Sequence, residues 1–271
     1  MQNDGRWRLV IDDARTGAWN MALDEAVSRA VAAGRSPATL RIYSWEPACL
    51  SIGYAQKCKD FDLALLEARG MGFVRRPSGG RAVLHKAELT YCLCAREDDP
   101  RVAGGVLESY KRLSAGFLSG LRLLGLQAAL TANHDGSSGT LAACFDAPGR
   151  YELTAGGRKV IGSAQWRHHG AVLQHGSVPL SGDVSEVVDY LRLGEKEKER
   201  ARAVLRERAA TLLQVLQRQV SFSEAAAALT TGLAAELQVN WETAGFSDYE
   251  LAAAERLAKE KYGNQSWNRR S

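Results

Sequence analysis

The sequence lacks any apolar run approaching the roughly 18 residues that a membrane-spanning helix requires, so no transmembrane segment and no membrane partner are expected. It also has little charge of one sign. Lys and Arg number 35 against 31 Asp and Glu, leaving a formal +4. That imbalance is too small for a nucleic-acid footprint, and no nucleic-acid partner is expected. Cysteine is sparse: Cys49, Cys58, Cys92, Cys94 and Cys144 make an odd, irregularly spaced set. This excludes a disulfide framework and argues for free thiols in a reducing compartment. No His, Cys, Asp and Glu spacing matches a zinc site, so no metal is expected. The N-terminus is polar, with no apolar stretch behind it, so no signal peptide is expected and the cytoplasm is the default location. Internal repeats and low-complexity tracts are missing too.

What is present is ordinary globular material. The apolar fraction is 45% and the charged fraction 24%. A chain of 271 residues buries a full core without covalent staples. Short strands are expected at Trp7–Asp12, Thr39–Trp45, Leu50–Tyr54, Gly72–Arg75, Ala82–Leu84, Leu89–Cys94 and Ala171–Pro179. Asn20 is expected to open an amphipathic helix that Gly34 stops, and Asp60–Arg69 reads as a short helix. Leu107–Leu124 gathers its leucines on one helical face. Tyr151–Thr154 and Lys159–Trp166, joined by Gly156-Gly157, predict a β-hairpin. Ala128–Cys144 is less regular. From about residue 181 the chain reads as helical to its end. Ser221-Phe-Ser-Glu224 and Ser247-Asp-Tyr-Glu250 both carry the capping-box spacing. Strands mixed with helices, followed by helices, predict an α+β fold over 1–271 with a helical C-terminal part.

Four constellations could carry chemistry. The first is Arg75-Arg-Pro-Ser-Gly-Gly-Arg-Ala-Val-Leu-His85. A Gly-Gly turn lets a ligand approach the backbone, and flanking arginines offer charge-assisted bonds to a carboxylate or phosphate. The same residues also read as a β-turn with solvated arginines. The second is Gly156-Gly-Arg-Lys-Val-Ile-Gly-Ser-Ala-Gln165. Lys159 lies in a run that reads as a buried strand, where an ammonium is costly. There it would polarise a carbonyl or favour a thiolate; the alternative is a surface lysine beside a turn. The third is Cys144, which by local pattern is as much a small hydrophobe as a nucleophile. The fourth is His175 in Gln174-His-Gly176, a strand histidine that is structural more often than catalytic. His168-His169 reads as turn surface, and Glu195–Arg208 as a solvated helix face. Cys92 and Cys94, on one strand, are expected to point to opposite faces, which disfavours a metal or redox pair. The Asn133–Gly149 region is dense in Gly, Ser and Asn and is expected to move.

Together these segments resemble the lipoate–protein ligase and octanoyltransferase family. Asn20-Met-Ala-Leu-Asp-Glu25 looks like its first-helix motif and Arg75–His85 its signature loop. Gly157–Gln165 resembles its lysine segment, and Leu173-Gln-His-Gly-Ser177 the strand that follows. The resemblance implies a mixed sheet flanked by helices, as in the biotinyl/lipoyl protein ligase catalytic domain. It implies Cys144 and Lys159 as catalytic, and Arg75, Arg76, Ser78, Gly79, Gly80, His85, Gly162, Ser163, Ala164 and His175 as substrate-binding. The cysteine-dependent octanoyltransferase branch is favoured by three features. Cys144 precedes the Lys159 hairpin, Arg81 stands where ligases typically carry a third glycine, and there is little room for the ligases' accessory C-terminal domain. The activity implied is octanoyl transfer from octanoyl-acyl carrier protein to a lysine of an apo lipoyl-carrying protein, the glycine cleavage H protein first among them. It would proceed through a cysteine thioester in lipoate biosynthesis, in a monomer without cofactor. An apolar tunnel for the acyl tail is expected near Ala82–Leu84. The rivals are an amidotransferase acting between lipoyl domains, an ATP-dependent ligase needing ATP and Mg, and a non-catalytic binding relative.

Overall fold

A computed structural model of the chain describes residues 5–132 and 151–270. In chain order the elements are β1 (Arg6–Ile11), α1 (Gly17–Ala32), β2 (Thr39–Tyr43), β3 (Cys49–Ile52), α2 (Leu63–Ala68), β4 (Gly72–Arg75), β5 (Val83–His85) and β6 (Glu88–Arg96). There follow α3 (Val106–Leu123), β7 (Ala128–Ala132), β8 (Tyr151–Ala155), β9 (Arg158–His168) and β10 (Ala171–Pro179). The last part holds α4 (Glu195–Arg208), α5 (Leu212–Leu216), α6 (Phe222–Leu237), β11 (Asn240–Thr243), α7 (Asp248–Leu257) and α8 (Gln265–Asn268).

Among the described residues the strands form a large sheet, ordered β11-β1-β2-β6-β10-β9-β8-β7, and a small one, β4-β3-β5. The large sheet is mixed: β1 runs parallel to β11 and β2, whereas β6, β10, β9, β8 and β7 pair antiparallel. One face packs on α3 and α6 through Leu93, Phe117, Leu121, Leu229 and Leu233. The other packs on α1 and α7 through Met21, Leu23, Leu173 and Ala254. A third core, with Ile52, Phe61, Tyr190 and Leu205, lies beneath the small sheet. The expected mixed sheet with flanking helices is therefore present.

Several local readings hold and several need correction. The hairpin turns at Gly156 and Gly157, with φ of 55° and 76°, the positive values a two-residue turn demands. Helix α1 starts ahead of Asn20: the Thr16 hydroxyl accepts from Trp19 N and caps it. Asn20 instead sits inside the first turn, buried, with its amide on the Arg15 and Ser44 carbonyls. Ser247–Glu250 forms the full capping box. Ser221 caps α6, but Glu224 turns to Arg218 at 2.8 Å, so only half of that box exists. The mainly helical C-terminal part also contributes β11, which was not expected. The opposite-face reading of Cys92 and Cys94 is wrong: residues two apart on a strand share a face. Their sulfurs lie 3.7 Å apart, buried, with burial pushing the Cys92 thiol up.

Candidate functional site

Where the two sheets meet, strands β2, β3, β5, β6, β9 and β10 and helix α1 enclose a narrow, mainly apolar cavity of about 50 Å³. Met21, Tyr43, Trp45 and Val83 supply its apolar wall. Of the residues expected to bind substrate, Arg76, Gly80, His85, Gly162, Ser163, Ala164 and His175 line it. Val83 places the cavity next to the expected tunnel strand. Ala82 belongs to the third core instead, and Leu84 packs against that core.

Gly176 shows why this part of β10 is built as it is. It lies between Tyr91 on β6 and Ser163 on β9. A Cβ there would stand 2.4 Å from the Gly162 carbonyl oxygen and 2.6 Å from the Tyr91 ring. A side chain at this position would therefore collide with the β9 backbone and the Tyr91 ring. Below it, the Tyr91 hydroxyl lies 2.6 Å from Ser163 Oγ and accepts from Gln174 at 3.2 Å.

Two buried hydrogen-bond chains hold the cavity wall. In the first, His175 Nδ1 is 3.4 Å from Asp24 Oδ2, and Nε2 is 2.5 Å from Ser78 Oγ. Asp24 also receives Arg41 and the Tyr43 hydroxyl, each at 2.8 Å. Burial works to raise the Asp24 carboxyl, but the His175 bond and the Arg41 charge outweigh it and hold the carboxyl below its ordinary value. Burial pushes the His175 imidazole down despite Asp24, and the charge of Arg76 adds to that. A neutral ring facing an ionised carboxylate carries its proton on Nδ1, which leaves Nε2 to accept from the Ser78 hydroxyl. The first helix, the signature loop and β10 are thus bound into one unit. In the second chain, His85 Nδ1 is 2.5 Å from Glu88 Oε1 and Nε2 is 2.8 Å from Ser51 Oγ. The ring stacks on Trp45 at 3.9 Å. Glu88 also accepts from the Thr90 and Ser177 hydroxyls.

In this geometry the guanidinium groups of Arg75 and Arg76 are engaged by carbonyls of the protein itself. Arg75 points away from the cavity. Its guanidinium donates to six main-chain carbonyls: Gly53, Tyr54 and Gln56 on one side, Trp267, Asn268 and Arg270 on the other. Arg76 reaches the cavity wall, but it donates to the carbonyls of Ser51, Gly79 and Arg81 and to Ser51 Oγ. Both side chains brace the loop. Gly79 and Gly80 are exposed at its tip.

Lys159 sits near the start of β9 and is buried, as its apolar surroundings suggested. Its carbonyl accepts from Ala210 N, and its ammonium donates to Glu152 Oε1 at 2.9 Å. It does not line the cavity, but Ser163, four residues along the same strand, does. Tyr110 on α3 lies against both. Burial pushes its phenol up, and the Lys159 charge pulls the other way. Cys144 and the Asn133–Gly149 region fall outside the described residues. Sequence reasoning gave no role to Ser51, Glu88, Tyr110 or Glu152. The spacing of Glu88 three residues after His85 was the signal available for one of them.

Comparison with known proteins fits this geometry. A family model described as the lipoyl protein ligase A/B catalytic domain matches residues 16–234. A protein named octanoyltransferase LipM from Brevibacillus brevis is 42% identical, over 98% of this chain and 99% of its own. One of the same name from Symbiobacterium thermophilum is also 42% identical, over 97% and 98%. Among solved structures, the bipartite lipoate protein ligase of Thermoplasma acidophilum, studied with its E2 lipoyl domain, superposes with a TM-score of 0.83 at 24% identity, over 97% of this chain and 96% of that one. A lipoate-protein ligase A bound with ATP gives 0.80 at 24% identity, over 97% and 98%. These two likenesses concern the fold. The matched span and the near-full-length relatives place this chain in the lipoyl protein ligase A/B catalytic-domain family.

Proposed function

We propose that the protein is an octanoyltransferase. It moves an octanoyl group from octanoyl-acyl carrier protein to a lysine of an apo lipoyl-carrying protein, the glycine cleavage H protein first among the candidates, within the cytoplasm. The observation that carries this reading is the 42% identity, over nearly the whole of both chains, to relatives named octanoyltransferase LipM. The apolar lining of the cavity matches an aliphatic chain in character, and such a chain gains about 0.8 kcal/mol per buried methylene. Among the described residues no helix is long and apolar enough to cross a membrane, in keeping with carrier proteins met in water.

In this reading the Cys144 thiolate attacks the donor thioester, forming an enzyme thioester and releasing the carrier thiol. The buried Lys159 ammonium stabilises first the thiolate and then the developing oxyanion. The acceptor amine attacks next; the C–N bond forms, the C–S bond breaks, and the thiol is regenerated. Aminolysis of a thioester runs downhill, so no ATP and no cofactor enter. The experiment is intact-mass spectrometry after mixing protein with octanoyl-acyl carrier protein, without ATP. A hydroxylamine-labile octanoyl adduct that Cys144→Ala lacks supports the reading. Activity that depends on ATP points to a ligase, and an adduct formed only from an octanoylated H protein points to an amidotransferase.

A further inference from the structure

Four cross-strand partners form one row beneath the cavity, on the face of the large sheet that packs on α1: Gly162 on β9, Ser177 on β10, Thr90 on β6 and Tyr43 on β2. All four line the cavity. Side-chain size grows along the row, from a glycine through a serine and a threonine to a tyrosine. At the β9 end Ser163 and Ala164 are half-buried, whereas Tyr43 and Trp45 at the other end are buried. Two stacked rings stand at that buried end. Trp45, just past β2, and His85, the last residue of β5, lie 3.9 Å apart between centroids and nearly parallel, at 11°. A larger hollow of about 390 Å³ shares Trp45 and His85 with the cavity as its lining. Ala14, Leu180, Val220 and Phe222 also line that hollow. The two rings thus form a partition between the cavity and the hollow.

Both rings are held by one buried carboxylate. His85 Nδ1 lies 2.5 Å from Glu88 Oε1. Trp45 Nε1 donates to Thr90 Oγ1 at 2.8 Å, and the Thr90 hydroxyl donates to the same Glu88 oxygen. Ser51 Oγ holds the other ring nitrogen of His85 at 2.8 Å. Swinging either ring aside would leave a buried polar group unpaired, so the partition is stiff. We infer that the Trp45–His85 pair is the stop that sets how long an acyl chain the cavity accepts. The chain lies along the row with its carboxyl end at β9, and its terminal methyl meets the two rings. Two inter-strand steps carry it from Gly162 to Thr90, about 10 Å, which is on the order of an extended octanoyl chain. The inference rests on the octanoyltransferase reading for the kind of occupant, an aliphatic acyl chain. It goes beyond that reading in naming what limits the chain and where a longer one would go.

Isothermal titration calorimetry of the full chain with free octanoate, decanoate and dodecanoate tests the stop without donor, acceptor or ATP. The wild-type protein binds dodecanoate more weakly than octanoate by about tenfold or more, the cost of forcing extra methylenes against a packed wall. In Trp45→Ala the partition opens and the order reverses. Each added methylene that enters the hollow gains about fourfold in affinity, so dodecanoate binds roughly 10- to 100-fold more tightly than octanoate. His85→Ala opens the partition from its other side and shifts the preference the same way. Trp45→Phe disturbs the core less and moves the optimum to decanoate, which keeps the test alive if an alanine variant fails to fold; circular dichroism checks each protein. Equal binding of octanoate and dodecanoate by the wild type overturns the inference. So do folded variants that keep the wild-type ranking, or that lose affinity for all three acids in proportion, as a merely structural wall would. The transferase reading is judged separately, by the adduct formed from octanoyl-acyl carrier protein. A protein that forms the adduct while every folded variant keeps the wild-type ranking loses only the stop. One whose ranking shifts as stated but that forms no adduct keeps the stop and loses the transferase reading.

Discussion

Replacing Arg75 by Met keeps the aliphatic stem and removes the guanidinium. If Arg75 braces the fold, the loss registers as instability. Of its six carbonyl acceptors, Gly53 and Asn268 lie in fully buried bonds, each at 3.2 Å. Leaving a buried acceptor unpaired costs about 1–3 kcal/mol. The two together give about 2–6 kcal/mol, a large share of the 5–15 kcal/mol typical of a folded protein. For a chain of this size that is a fall in Tm of about 4–24 °C, at roughly 2–4 °C per kcal/mol. The C-terminal segment is tied to the same guanidinium through Trp267, Asn268 and Arg270, so it should loosen first. Differential scanning fluorimetry gives the Tm, and limited proteolysis with mass spectrometry locates the first cut. A variant with the wild-type Tm and an intact C-terminus, but a greatly raised KM for the acyl donor, would refute the bracing role and support Arg75 as a ligand group.

Two further outcomes follow from the cavity wall. Gly176→Ala puts a methyl 2.4 Å from the Gly162 carbonyl oxygen, and overpacking of that kind costs about 1–3 kcal/mol, seen as a Tm lower by about 2–12 °C. His175 has its folded-state value depressed, so its contribution to stability is complete above the unfolded value of about 6.5 and is lost as pH falls from there through the folded value. Urea titrations at pH 7.5, 6.5 and 5.5 should show stability falling across that window, and His175→Asn should flatten the slope.

Where the sequence was readable, the determinants were local. Gly156-Gly157 forces its hairpin through two positive φ values, and the leucine stripe of α3 buries where its spacing says. The order of the family segments placed seven of the expected residues around one cavity. What was not readable depends on partners far along the chain. The destination of Arg75 is set by carbonyls near residues 53–56 and 267–270. Asp24 acquires its role only when β10 brings His175 beside it. Glu152 looks like any strand-edge glutamate until the fold pairs it with Lys159. The cysteine pair was misread for a different reason: the two-residue period of a strand puts Cys92 and Cys94 on one face, and both end up in the same buried layer between β6 and α1.

The central claim is that octanoyl passes through an enzyme thioester at Cys144 and needs no ATP. A single-turnover chase tests it directly. The protein is loaded with octanoyl-acyl carrier protein, freed of donor and nucleotide, and mixed with apo H protein while both masses are followed. The account predicts that the octanoyl mass leaves the enzyme and arrives on the acceptor at the same rate, and that Cys144→Ala neither loads nor transfers. Transfer by Cys144→Ala, or a loaded enzyme that discharges only when ATP is added, would contradict it.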